Sequence, residues 1–310
     1  MKYKSILPRF IPLLLAAIYL FVLQGLHSLR GDHYLITAVI LTLWYSGKRF
    51  REVFHFILPL ILVFVVYDSM RFYADFLRGP IHVKEPYLFD KTFFGIKDSL
   101  GHVLTPNEWW QKHTHWFLDL YTGSFYLLFI AIYVLVSAYF CFWLPRTGTK
   151  LRTREWIQSQ QHSPMWAFFF VNLLGYSTYY WFAAAPPWYV ASYGLGPANL
   201  SAHASAAGCL RFDSILGTHF FTGMYGRATD VFGAVPSLHV AYPLQAVYYS
   251  FRYGALRAFS LIFYFSMCFS AVYLNHHYIL DILWGSAYAL IVAAGLESFR
   301  WFFSSRIQTA

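Results

Sequence analysis

Charged side chains are scarce in this sequence. Only 12% of its 310 residues are Asp, Glu, Lys or Arg, about half the share of a typical soluble domain. With 58% hydrophobic residues, too few polar groups remain to cover a folded surface in water, and an ordinary soluble protein is excluded. Cysteine is nearly absent as well. Cys141 and Cys268 lie in apolar runs as small core residues, and Cys209 stands alone in a loop. No CxxC or CxxH spacing joins them, so a disulfide framework and a structural metal site have no support. Repeats, low-complexity tracts and Pro-rich linkers are also missing, which leaves 1–310 as a single membrane-embedded domain. Acidic residues number 14 against 23 basic ones, a net charge of +9. Membrane topology explains that excess better than nucleic acid does, and no nucleic-acid partner is expected.

What the chain does have is long apolar runs. A helix that crosses hydrocarbon needs about 20 mainly apolar residues. Eight segments are candidates: Phe10–Leu29, Tyr34–Tyr45, Val53–Tyr67, Tyr121–Leu144, Met165–Ala184, Leu238–Phe251, Ala255–Leu274 and Ile279–Phe299. The expected fold class is therefore all-α, a polytopic membrane protein of about eight transmembrane helices. The first run follows Lys2, Lys4 and Arg9 without a small-residue cleavage site, and reads as a span rather than a signal peptide. The second is short and needs its flanks. Between the third and fourth lies TPNEWWQKHTHWF, Thr105 to Phe117, whose Trp-rich polar character suits a helix lying in the interface.

Short-loop charge sets the orientation. Lys48, Arg49, Arg51, Arg146, Lys150, Arg152, Arg154, Arg252 and Arg257 fall in segments that are all cytoplasmic when eight spans start from a cytoplasmic N-terminus. Arg30, Arg71, Arg78, Arg211 and Arg227 fall in the outer segments, which include two long ones that this rule weighs little. Both termini are then cytoplasmic, and an even number of spans is required.

This orientation gives meaning to FGAVPSLHVAYPL, Phe232 to Leu244. His239 opens the sixth span at its outer end. The eighth span opens at the same depth with YLNHHYILDIL, Tyr273 to Leu283. His277 and Asp281 are four apart, one turn along one helical face. A carboxylate there accepts a proton from one imidazole nitrogen and leaves the other free to attack. A second histidine can protonate a leaving oxygen and later deprotonate an alcohol. These are the roles of a catalytic triad in a different order. An intramembrane carboxylate is expensive and usually functional. His276 faces elsewhere on the helix and reads as a supporting hydrogen bond. No His/Cys/Glu set has zinc spacing. A lipid-anion transporter would use similar groups, but at mid-bilayer in broken spans; clustering at one boundary favours an enzyme.

PSLH at Pro236–His239 and HYILD at His277–Asp281 resemble two of the three motifs of the type 2 phosphatidic acid phosphatase superfamily. Ser270, His277 and Asp281 match the third motif, with Ala271 where its arginine belongs. The first motif, which ends in Arg-Pro, is missing. A generic lipid phosphatase using water as acceptor is therefore the alternative rather than the first reading. APPWY at Ala185–Tyr189, GPAN at Gly196–Asn199, LRFD at Leu210–Asp213, FGAVPSLH and YLNHHYILD resemble the inositol phosphorylceramide synthases, over about Ala185 to Gly285. The first 160 residues are less distinctive, and 161–300 reads as the catalytic core, a phosphatidic-acid-phosphatase-like helical bundle. The resemblance implies His277 as a nucleophile that forms a phosphohistidine, Asp281 as its orienting carboxylate and His239 as the acid–base residue. It implies a phosphatidylinositol or other phospholipid donor, a ceramide-type acceptor, a bilayer, and no cofactor or metal. The site would face the periplasm or the Golgi lumen. Ser237 and His276 are candidate substrate contacts. Arg71, Arg211 and Arg227 are candidates to replace the missing basic residues, and Arg71 and Arg211 are preferred.

Overall fold

The structure, a computed structural model, describes residues 7–226 and 230–308. Lys2, Lys4 and Arg227 lie outside the described residues. Every one of the eight apolar segments is helical: α1 (Leu7–Gly25), α2 (Gly31–Tyr45) and α3 (Lys48–Ser69), then α6 (Trp116–Ala138), α7 (Ser163–Trp181), α10 (Leu238–Tyr253), α11 (Arg257–Tyr273) and α12 (Ile279–Gln308). Shorter helices lie between them: α4 (Lys84–Phe94), α5 (Pro106–Lys112), α8 (Cys209–Leu216) and α9 (Phe220–Tyr225). Among the described residues, three stretches are long and apolar enough by themselves to cross a membrane: Lys48–Phe72, Trp116–Thr147 and Ile279–Arg300. The chain is an integral membrane protein. Helix α10 is shorter, at 16 residues or about 24 Å of rise, because its first turn is spent inside the protein beside the histidines.

Two compact units share the chain, 1–62 and 63–310, and the division falls within α3. In the first, α1 and α2 pack together, with Tyr19 edge-on to His33 at 5.9 Å. In the second, α10 is the central helix and touches α6, α7, α11 and α12. Polar side chains join these helices, as expected where a buried polar group finds no water. Tyr242 donates to Asn172 Oδ1 at 2.6 Å, Gln245 to the Ala167 carbonyl at 3.0 Å, and Tyr133 to the Pro164 carbonyl at 2.7 Å. Helix α10 ends at Gly254, whose φ of 78° is left-handed and whose N–H bonds the Ser250 carbonyl, a glycine C-terminal stop.

Short extended pieces align the loops that carry the motifs. Strand β1 (Ile81–His82) runs parallel to β4 (Ala183–Ala184), and Ala184 bridges to Gly233. The Ala184 N–H bonds the Phe232 carbonyl at 2.7 Å, which sets the residues before Pro236. A two-residue hairpin, β2 (Ile96–Lys97) with β3 (Val103–Leu104), leads into α5. Thr105 caps that helix with Glu108 in a reciprocal pair of 3.2 and 2.7 Å.

The interfacial helix expected over 105–117 is only half there. Helix α5 stops at Lys112, and α6 starts at Trp116. The side chains of α5 also pack on the core. Asn107 is 1% exposed, and Trp110 lies edge-on to Phe269 and Tyr273 at 5.1 and 5.5 Å. This short helix is wedged onto the end of α11.

Gly285 lets α12 lie against the motif loop. A Cβ there would sit on the Ser237 carbonyl oxygen, closer than real Cβ contacts come, and both the oxygen and its carbonyl carbon are backbone that cannot rotate away. Gly295, on the same helix, has nothing within 4 Å of such a Cβ. Gly285→Ala is therefore expected to cost about 1–3 kcal/mol as overpacking and to remove most activity. Gly295→Ala should be neutral or slightly stabilising through helix propensity. Thermal midpoints of the two purified variants test the contrast, and equal midpoints would contradict it.

Candidate active site

The turn between α11 and α12 is built by Asn275. Its φ of 63° is left-handed, a conformation that Asn tolerates better than most residues. The reversal lets the amides of His276 and His277 both bond the Ala271 carbonyl, at 3.1 and 3.0 Å. The turn is also held from outside: the Trp188 amide bonds the Asn275 carbonyl, and the Gly208 amide bonds that of Leu274. Ser237, from the other motif, donates its N–H to the Asp281 carbonyl at 2.9 Å.

These constraints bring three predicted residues into one line. Asp281 Oδ2 is 3.2 Å from His277 Nδ1, and His277 Nε2 is 3.2 Å from His239 Nδ1. The Ala234 carbonyl is 3.0 Å from the same His277 Nδ1. Both neighbours of Nδ1 are acceptors, so the hydrogen-bond network assigns the proton there. The lone pair of His277 is then on Nε2. His239 faces it with Nδ1–H, and its own Nε2 has no hydrogen-bond partner among the described residues. Asp281 is fully buried and also accepts the Tyr278 N–H at 2.9 Å. His277 is 5% exposed, while His239 is half-buried and forms the accessible end of the line. Ser237 Oγ and Asp281 Oδ1 are buried with no hydrogen-bond partner among the described residues.

The other candidates are placed differently. His276 bonds away from the pair, with Nε2 at 3.1 Å from the Ala206 carbonyl and 3.4 Å from Cys209 Sγ. Burial, with the His277 charge second, pushes its pKa down to about 3, so it is neutral. Cys209, expected in a loop, is the fully buried first residue of α8. Arg71 is held by the Asp68 carboxylate and carbonyl and is one-third exposed. Arg211 bonds Asp119 at 2.6 Å, Gln111 at 3.0 Å and the Tyr273 carbonyl at 3.4 Å.

Several residues at this site were not found by sequence reasoning. Tyr126 on α6 stacks between His239, at the end of the line, and His276, outside it, 4.3 Å from the His239 ring and 5.1 Å from the His276 ring. Phe129 covers His239 at 4.4 Å, and Tyr225 covers His276 at 4.7 Å. Arg78 bonds Asp230 at 3.1 Å and lies over Phe232, so it anchors the approach to the Pro236–His239 motif. Asp90 on α4 takes the Ile279 N–H at 2.7 Å and the Leu280 N–H at 3.0 Å. Burial pushes its carboxyl up to about 7, against those two amides, which favour the charged form. The only local signal for Asp90 is an acid amid the aromatics of YLFDKTFF.

Comparison with known proteins follows the same residues. The PAP2 superfamily profile matches residues 100–295. The chain is 35% identical over 284 residues to the phosphoinositol dihydroceramide synthase of Bacteroides thetaiotaomicron, covering 90% of this chain and 88% of that one. It is 28% identical over 259 residues to the inositol phosphorylceramide synthase catalytic subunit aur1 of Schizosaccharomyces pombe, covering 82% and 56%. With the AUR1 subunit of Saccharomyces cerevisiae it shares 29% over 238 residues, covering 76% and 54%. The chain thus spans little more than half the length of the two yeast proteins. No solved structure matches it. The similarity reaches well beyond Ala185–Gly285. The chain belongs to the PAP2 superfamily and, within it, is an enzyme of the inositol phosphorylceramide synthase kind, a phosphotransferase.

The stack makes one demand on Tyr126. An aromatic pair is worth about 0.5–1.5 kcal/mol beyond burial, which corresponds to roughly 2–10-fold in rate if it is lost at the transition state. Tyr126→Phe should keep turnover within about twofold, and Tyr126→Leu should lower it about tenfold. Equal turnover in both variants would show that the ring does not hold His239.

Proposed function

We propose that this chain moves inositol phosphate from phosphatidylinositol to a ceramide-type acceptor and releases diacylglycerol, through a phosphohistidine on His277. The observation that carries the reading is the Asp281–His277–His239 line, with the His277 lone pair aimed at the one accessible residue of the three. The name of the bacterial relative supports a dihydroceramide acceptor.

In the first half-reaction, His277 Nε2 attacks the donor phosphorus. A bond forms from nitrogen to phosphorus, and the bond from phosphorus to the glycerol oxygen breaks. His239, having first taken up a proton on Nε2, gives that proton to the leaving oxygen, and diacylglycerol leaves. Asp281 stabilises the imidazolium and holds Nδ1–H in place. In the second half, His239 takes the proton of the acceptor hydroxyl, whose oxygen attacks phosphorus and frees His277. One residue thus serves as acid and then base, and the covalent intermediate splits one transfer into two steps. His239 fits this role because its Nε2 has no partner among the described residues while Tyr126 and Phe129 fix the plane of its ring.

Phosphate contacts fall to Ser237, whose buried hydroxyl has no partner among the described residues, and to Arg71, which is one-third exposed beside Asp68. Arg211 is shared among three acceptors, and we assign it to the framework. His276, with its Nε2 spent on Ala206 and Cys209, supports the turn. The eight apolar helices are read as eight spans, with both termini cytoplasmic and the histidines at the opposite face. Lipid donor and acceptor then reach the site sideways from the bilayer.

Purified protein with labelled phosphatidylinositol, with and without ceramide, tests the reading. Ceramide-dependent formation of an inositol phosphoryl lipid is expected. Release of free inositol phosphate regardless of ceramide would instead indicate a hydrolase that uses water as the acceptor. His277→Ala should abolish both donor cleavage and transfer. His239→Ala should lose about 10²–10⁴-fold, the usual scale of acid–base assistance. Asp281→Asn should keep protein levels and lose most turnover, and His276→Ala should be milder. A His277→Ala variant that still transfers would overturn the mechanism.

A further inference from the structure

The proposed nucleophile sits on a turn whose backbone is gripped by side chains far away in sequence. Asn107, on α5, is 1% exposed. Its Nδ2 donates to the His277 carbonyl at 3.0 Å and to the Val272 carbonyl at 3.0 Å. Both amide hydrogens are thus used, one on each side of the reversal at Asn275. Asp90, on α4, is fully buried. Its Oδ2 accepts from the Ile279 amide and its Oδ1 from the Leu280 amide. These are free donors in the first turn of α12, the helix that carries Asp281. Neither residue touches an imidazole or the Asp281 carboxylate.

We infer that Asn107 and Asp90 are positioning residues for the phosphoryl-transfer step, a two-sided clamp that fixes His277 and Asp281 relative to His239. The clamp rests on the histidine mechanism proposed above. Asn107 pulls on a carbonyl immediately before Tyr278, and Asp90 pulls on amides immediately after it. Between those points the chain has no freedom to rotate His277 out of line with Asp281. Donors meet acceptors on both sides: two N–H donors of Asn107 meet two carbonyls, its Oδ1 being buried without a hydrogen-bond partner among the described residues, and the two carboxylate oxygens of Asp90 meet two amides. Each match depends on the identity of the residue rather than on its size. Asn107→Asp is isosteric but turns two attractions into oxygen–oxygen repulsion. Asp90→Asn is isosteric but sets an NH₂ group against a backbone N–H.

The clamp also explains why the chain keeps α4 and α5 folded against the core. Helix α4 packs on α12 and α5 on α11, one on each side of the turn. Thr105 and Glu108 fix the start of α5, and Tyr87 of α4 bonds Glu108 at 3.1 Å. The two grips are thereby joined to each other outside the turn.

The test uses full-length purified protein in three variants, Asn107→Asp, Asn107→Ala and Asp90→Asn. Each is normalised to folded, monodisperse protein, and single-turnover phosphoenzyme formation is measured from labelled phosphatidylinositol. A displacement near 1 Å at a reacting group can cost about 10²-fold. We expect kcat and the phosphoenzyme rate to fall together by about that factor in Asn107→Asp and Asp90→Asn. Asn107→Ala, which deletes the grip without adding repulsion, should fall by less. The KM for donor and acceptor should stay within about twofold in all three, because the lipid contacts are elsewhere. A purely structural role would lower the yield of folded protein and leave the rate per folded molecule unchanged, and that result overturns the clamp. Wild-type phosphoenzyme rates in Asn107→Asp or Asp90→Asn overturn it as well. A wild-type enzyme that turns over without any phosphoenzyme overturns the histidine mechanism instead.

Discussion

The hydrogen bond between His277 Nδ1 and Asp281 fixes which imidazole nitrogen is free, and the rest of the site follows from that choice. In a buried setting a carboxylate without partners is too costly to persist. Asp281 is fully buried, and its Oδ2 is satisfied twice, by His277 and by the Tyr278 amide. With Nδ1 committed, Nε2 is the nitrogen of His277 that keeps its lone pair. It points at His239, which is the accessible end of the line.

Holding that line is mostly backbone work. The Ser237 amide is tied to the Asp281 carbonyl, so the two motifs cannot drift apart. Gly285 permits the close approach that this tie requires. Segments remote in sequence close the remaining freedom: Gly208 and Trp188 on the turn carbonyls, Asn107 and Asp90 on either side of Tyr278, and Tyr126 against the ring of His239. The backbone of the turn is held because the carbonyls of Ala271, Leu274, Asn275 and His277 each accept a hydrogen bond, as buried polar backbone requires.

The legible parts of the sequence were those with local signatures. Apolar runs marked all eight long helices, and α10 and α12 begin at Leu238 and Ile279 as read. The His277–Asp281 contact was legible because i,i+4 spacing is local geometry, and the approach of His239 was expected from reading both helices as starting at one boundary. The Arg71–Asp68 pair was visible at i,i+3, whereas Arg211–Asp119 spans 92 positions and carried no local sign. Asn107, Asp90 and Tyr126 were invisible for the same reason: their partners lie more than 100 residues away, and an Asn in a polar stretch or a Tyr in an apolar helix looks ordinary. The break between α5 and α6 at His113–His115 carried no local sign, because tryptophans suit a continuous interfacial helix and a packed wedge equally well.

Stereochemistry at phosphorus tests the central claim most directly. A donor phosphatidylinositol carrying a single diastereomer of a phosphorothioate has a stereogenic phosphorus, and each in-line displacement inverts it. Attack by His277 followed by attack by the acceptor gives two inversions, so the account predicts net retention in the product lipid. Net inversion would mean a single direct transfer from donor to acceptor, with no covalent histidine intermediate, and would contradict the account.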